Sequence, residues 1–209
     1  MSNLDSQAEE DKSASSLSIG YIAVGNLSHY LPEILKQISS SSSRQYLLLA
    51  SLREVIDLLF QHTSNEEDGT RNIVSECLGK LAMINPEQVI QRLVNSLEDE
   101  NPETRACAVT AIKFSLSHHV REVESQLTGV LNKFLNLLDE SILVRKSVLL
   151  TFNYICFQRP SLIKPHLINY LEKLYEETTI KPELIEEVEI GPFKHKVDRG
   201  LDLVFSINY

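Results

Sequence analysis

Three groups of residues in this chain could do chemistry. Arg71, Arg105 and Arg145 each follow an acidic turn, with Glu66-Glu67-Asp68, Asp99-Glu100 and Asp139-Glu140 just before them. Their guanidiniums suit either the carboxylates of a partner or a ladder between stacked structural units, and the regularity of their placing favours the ladder. His118-His119 invites a metal. Neighbouring residues on a helix diverge, however, and no Cys or carboxylate lies at ligand spacing, so the pair is expected at a solvated helix end with no metal bound. The third group is Glu187 and Glu189 ahead of Gly191-Pro192, with Lys194 and Lys196 behind. If Gly191-Pro192 forms a two-residue type II′ turn, glycine supplies the positive φ and Glu189 faces Lys194 while Glu187 faces Lys196 across a hairpin. The other reading of 183–198 is one more helix over 182–189 followed by an ordered loop.

A Gly-rich phosphate loop, a G-x-S-x-G turn and a Cys with a matched His motif are all missing from the sequence. An enzymatic reading therefore has no site, and no cofactor is implied. The balance of 20 Lys plus Arg against 29 Asp plus Glu, net −9, disfavours a general nucleic-acid binder, which needs clustered positive charge. A protein partner is the better expectation. Hydrophobic residues at 43% and charged ones at 23% are those of a folded protein. Cys77, Cys107 and Cys156 are odd in number and lie inside helical patterns, so they read as small core residues of a reduced intracellular protein with no disulfide. The polar N-terminus lacks a signal pattern and no apolar run approaches a membrane span, which predicts the cytoplasm and nucleus and no membrane.

The elements that must position these groups are amphipathic helices. In LEDENPETRACAVTAIKFSL, residues 97–116, an acidic turn leads to Pro102 at a first helical position, and Ala108, Val109, Ile112 and Leu116 then share one face. LLDESILVRKSVLLTFNYI, 137–155, and EEDGTRNIVSECLGKL, 66–81, repeat the pattern, and Arg71, Arg105 and Arg145 recur at spacings of 34 and 40 residues. Such periods indicate stacked helix pairs of the HEAT or armadillo type, the alternative being one irregular bundle. Apolar stripes predict further helices from residue 9 to the break at Gly25-Asn26, over 31–38, from Arg44 past Phe60, from Pro86 to Leu97, over 124–138, over 142–157 and over 167–175. Serines 39–43 read as a flexible turn.

The strings AVGNLSHYLPEIL, RQYLLLASLREVI, GTRNIVSECLGKLAMINPE, VTAIKFSLSHH, LLTFNYI, RPSLIKPHL and ELIEEVEIGPFKHKVDRGLDL resemble, in this order, the C-terminal portion of the cullin-associated, neddylation-dissociated proteins. The resemblance runs from about Glu9 to Leu203. It implies an all-α HEAT-repeat (armadillo-like) superhelical solenoid with a projecting β-hairpin near the C-terminus. It also implies a non-enzymatic monomer that binds an unneddylated cullin with its RING subunit, competes with the adaptor and promotes exchange of substrate receptors in ubiquitin ligases. On this pattern residues 1–8 are a disordered acidic N-terminus, 9–182 the solenoid, 183–198 the hairpin and 199–209 the start of a further repeat. In the family the hairpin enters the adaptor-binding surface of the cullin. Partner contacts are accordingly expected from Glu187, Val188, Glu189, Ile190, Phe193, Lys194, His195 and Lys196, with Phe193 as the tip anchor.

Two departures stand out. The family has a further helix where only 57–65 stand here, and it continues after a GLDL-like string into an RKAAFE-type helix where this chain reads VFSINY. The chain thus resembles a shortened form or an internal fragment. Two other readings are a karyopherin-like transport adaptor, for which a charged hairpin has no evident use, and a truncated chain without independent function.

Overall fold

A computed structural model describes residues 9–40, 45–138, 141–191, 193–201 and 203. The expectations for residues 1–8 and for most of the serine run lie outside them. Two compact units divide the chain, 1–63 and 64–209. The first holds α1 (Glu9–Gly25), α2 (Leu27–Ser40) and α3 (Gln45–Gln61). Its core is built by Ile34 from α2 and by Leu48, Leu52, Val55, Ile56 and Leu59, the predicted stripe of α3. α1 approaches α3 closely at Gly20, where an added Cβ would stand 3.1 Å from the Ser51 carbonyl oxygen.

The second unit repeats one motif. α4 (Asp68–Ala82), α6 (Pro102–Ser115) and α9 (Ile142–Gln158) pack side by side in one layer, α4 on α6 and α6 on α9. Of the intervening helices, α5 (Pro86–Ser96) packs against α4 and α6, α7 (Arg121–Leu127) against α5, and α8 (Leu131–Leu137) against α9. Small side chains let the layer close up. Ala106, Cys107, Ala108, Val109, Ala111 and Ile112 of α6 are all buried, and Gly79 of α4 leaves room for Phe114. Each buried Val, Ile or Leu contributes roughly 1.5–3 kcal/mol against leaving it in water. Helix starts are capped by side chains: Asn85 accepts from the Gln88 N–H, Asn101 from the Thr104 N–H and Ser141 from the Val144 N–H, with Pro86 and Pro102 in first-turn places that need no N–H donor. This is the all-α HEAT-repeat class that the stripes and their period predict.

Two expectations change. The single helix over 124–138 is two helices, α7 and α8, because Gly129 between them has no side chain to pack and a glycine in a helix interior costs about 1 kcal/mol. Of the expected stripe, Leu127, Val130, Leu131, Phe134 and Leu138 are buried, while Leu135 is half-buried. Cys156, expected in the core, is exposed, since α9 turns Phe152 and Ile155 inward and leaves its last residues in solvent, whereas Cys77 and Cys107 are buried as expected. Two of the arginines make local contacts among the described residues. Arg71 donates to the carbonyls of Asn65 and Glu66 at 2.7 and 2.8 Å, and Arg105 to those of Asp99 and Glu100 at 2.7 and 3.0 Å, so each ties down the turn that precedes it.

A short α10 (Pro160–Ile163) and a 3-10 turn lead into α11 (Leu167–Glu177). Tyr170 of α11 donates its hydroxyl to the Leu131 carbonyl, and Phe134, Phe152 and Tyr170 form a run of edge-to-face rings with centroids 5.8 and 4.4 Å apart. Glu177 at the end of α11 is buried against Arg145. That aromatic and ionic join holds α11 in place, and the hairpin follows it in the chain.

Candidate functional site

After α11 the pattern changes from 3.6-residue stripes to alternation. β1 (Ile185–Ile190) and β2 (Phe193–Asp198) pair antiparallel, which removes the reading of 182–189 as a helix, although Pro182–Leu184 make one 3-10 turn. Gly191 has φ 63°, the positive value that a type II′ turn requires at its first central residue. Pro192 lies outside the described residues. The register is the one that this turn predicts: Glu189 opposite Lys194, Glu187 opposite Lys196, Val188 opposite His195 and Ile190 opposite Phe193.

Because side chains alternate along strands, this register sorts the expected contact residues. Glu187, Glu189, Lys194 and Lys196 share one face. Val188, His195 and Phe193 share the other. On the charged face the ion pair formed is diagonal, Glu187 to Lys194 at 3.9 Å between exposed groups, so it adds little to stability and leaves both charges available. On the other face Phe193 is 67% exposed beside the turn, His195 is exposed and Val188 is half-buried.

Two further features of the hairpin were not singled out from the sequence. Its base is held by the Arg199 N–H donating to the Leu184 carbonyl at 2.9 Å, by the Arg199 side chain pairing with Glu186 at 3.0 Å and by the Gly200 N–H donating to the Asp198 carboxylate at 2.8 Å. The strand alternation that paired 187 with 196 also carries Glu186 to the opposite face, so this partner was legible. α11, moreover, is apolar on both sides. Tyr170 faces inward while Leu167, Ile168, Leu171 and Tyr175 lie exposed on the outer side, at spacings of one, four and eight residues.

His118 and His119 are exposed at the end of α6, as expected, and His119 hydrogen-bonds Glu124 at 2.5 Å. Among the described residues, no group of three or more His, Cys, Asp or Glu is placed to hold a metal ion, and no helix is long and apolar enough to cross a membrane. The hairpin thus sets an exposed aromatic ring beside the turn, with Val188 and His195 on the same face and rows of Glu and Lys on the other.

Residues 162–205, which include α11 and the whole hairpin, match the family described as TATA-binding protein interacting (TIP20). The chain is 44% identical over 217 residues to cullin-associated NEDD8-dissociated protein 1 of Dictyostelium discoideum, covering 93% of this chain and 18% of that protein. It is 41% identical over 221 residues to the protein of that name from Arabidopsis thaliana, covering 96% and 18%. It is 34% identical over 221 residues to the C-terminal part of the protein from Emericella nidulans, covering 96% and 21%. The solved structure of an engineered protein superposes on 99% of this chain and 95% of its own with a TM-score of 0.47 at 18% identity, too slight a likeness to add to the fold. The chain spans about a fifth of the length of the curated relatives it matches.

The matched lengths carry a further fact. In the Dictyostelium match 217 aligned positions take in 93% of 209 residues, about 194, so 217 − 194 leaves about 23 positions of the relative with no counterpart here. That is the size of one helix with its turns, the shortening that the resemblance implies. Between α3 and α4 this chain has only residues 62–67. Over nearly all of its length, then, the chain is similar to the cullin-associated NEDD8-dissociated proteins, matches the TIP20 family description over residues 162–205, and spans about a fifth of the relatives' length.

Proposed function

We propose that this chain acts as a non-catalytic regulator of cullin-RING ubiquitin ligases. It binds a cullin that does not carry NEDD8, together with the RING subunit, competes with the adaptor for the cullin surface, and so promotes exchange of substrate receptors. In this reading residues 9–182 serve as scaffold, 183–198 as the contacting element, and the chain works as a monomer in cytoplasm and nucleus. The observation that carries the reading is the hairpin, whose exposed Phe193 stands beside the turn, with Val188 and His195 on its face and rows of Glu and Lys on the reverse. An exposed aromatic on a rigid turn loses little conformational freedom on docking, and flanking charges of both signs set orientation. The relatives' name, cullin-associated, supports the choice of partner.

The test is a pull-down with the full chain as bait, comparing unmodified and NEDD8-modified cullin in the same lysate. Retention of the unmodified form and loss of the modified form is the expected outcome. Equal retention of both forms, or of neither, would overturn the reading.

A further inference from the structure

In the second unit α4, α6 and α9 lie side by side and leave a groove of about 280 Å³ along the face they share. The charge in the groove opposes that of the chain. Among the described residues, Arg71, Lys113 and Lys146 line it with one carboxylate, Asp68, which pairs with Arg71, although the whole chain carries −9.

Lys113 differs in its partner from four other lysines of the chain. Lys80 pairs with Glu76, Lys133 with Glu98, Lys181 with Glu177 and Lys194 with Glu187. The half-buried Lys113 meets no carboxylate among the described residues and has its ammonium 5.0 Å from the centre of the Phe114 ring. Burial lowers its pKa. A partly desolvated ammonium without an anion gains more from an arriving carboxylate than a solvated surface lysine does, because much of its desolvation has already occurred. Beside it, the Asn72 amide and the Thr110 hydroxyl have no hydrogen-bond partner among the described residues and line the same groove. Leu150, 37% exposed, supplies an apolar patch at the other wall.

We propose that this groove binds an acidic peptide segment of a protein partner, with Lys113 reading its carboxylate. Asn72 and Thr110 hydrogen-bond the peptide backbone, and Leu150 takes a neighbouring apolar side chain. The site is separate from the hairpin and does not depend on which protein the hairpin contacts.

The test titrates the full chain against a short fluorescein-labelled peptide of Glu, Leu and Gly, and against the same peptide with Gln for Glu, by fluorescence anisotropy. The Glu peptide is expected to bind at least tenfold more tightly. Lys113→Met keeps the apolar stem beside Phe114 and removes the charge, and should weaken binding of the Glu peptide about tenfold with an unchanged circular dichroism spectrum. Ser147→Glu, at the opposite wall, should do the same without touching Lys113. Arg121→Met, exposed and outside the groove, should leave binding unchanged. Equal binding of the Glu and Gln peptides would overturn the proposal. So would a Glu peptide indifferent to Lys113→Met and Ser147→Glu, or one equally weakened by Arg121→Met.

Discussion

Arg145 and Glu177, 32 residues apart in sequence, meet in the interior of the second unit: Nη2 stands 2.5 Å and Nε 3.2 Å from the same carboxylate oxygen, and Lys181 holds the other oxygen at 2.8 Å. The pair joins α9 to the end of α11, four residues from the turn that starts the hairpin. The arginine expected to link repeats thus joins α9 to α11, the helix that precedes the hairpin.

Removing one member of that pair leaves a buried charge with incomplete compensation. Arg145→Met should therefore cost about 3 kcal/mol, the lower end for a broken buried ion pair because Lys181 remains, while Arg145→Met with Glu177→Met should recover most of the loss. Urea denaturation measures both. Equal midpoints for the single variant and the parent would contradict the account of the join.

Two glycines should respond in opposite directions. At Gly79 a methyl would run into Phe114 Cβ and stand 2.7 Å from the Ala111 carbonyl oxygen, so Gly79→Ala should destabilise by about 1–3 kcal/mol. At Gly129 nothing lies within 4 Å and φ is not in the left-handed region, so Gly129→Ala should stabilise by about 0.5–1 kcal/mol. Thermal melts of the two variants check the pair, and a loss of stability in both would show that Gly129 is needed for the break between α7 and α8.

Val109 is fully buried between α4 and α9, its carbonyl accepting from Thr151 at 3.5 Å. Val109→Asp places a carboxylate there without a cation and should cost several kcal/mol, on the order of 3 or more. An unchanged melting temperature would mean that the inner face of α6 is wrongly assigned.

Alkali should unfold the chain earlier than its net charge alone suggests. Burial raises the Cys77 thiol from 9.0 to about 11, and raises Cys107 and the Tyr170 phenol as well. A pKa higher in the folded state gives stability that is complete below the unfolded value and is lost as pH rises toward the folded one. The loss thus begins near pH 9 for the thiols and near pH 10 for the phenol. Lys113, lowered by burial, has the opposite sign and recovers a part as it deprotonates. Melting temperatures from pH 8 to pH 11 should fall, and Cys77→Ala should reduce the fall. A flat profile would contradict the burial of these groups.

How much was legible in the sequence follows the range of each signal. Helix faces such as Val109–Ile112–Leu116 depend on local periodicity, and the hairpin register depends on Gly191, the one position here that needs positive φ; both read correctly. The break at Gly129 did not show, because the stripe of Leu127, Leu131 and Phe134 runs through it and one glycine does not interrupt a period. Cys156 sits next to buried Ile155, and a one-residue step at a helix end decides exposure. The arginine targets were hidden for two reasons. Arg71 and Arg105 bind backbone carbonyls, which carry no sequence signal, and the partner of Arg145 is 32 residues away. The groove around Lys113 draws on three helices at once and has no local pattern at all.

The central claim, that the hairpin makes the cullin contact, is tested most directly by calorimetric affinity of the full chain for the N-terminal domain of an unmodified cullin. Phe193→Ala should weaken binding roughly thirtyfold, as the loss of about 2 kcal/mol at an interface aromatic requires, with circular dichroism unchanged. Glu187→Lys with Glu189→Lys, which sets like charges opposite Lys194 and Lys196, should weaken it further by unpairing the strands. Affinity equal to that of the parent in both well-folded variants, or no binding by the parent itself, would contradict the claim.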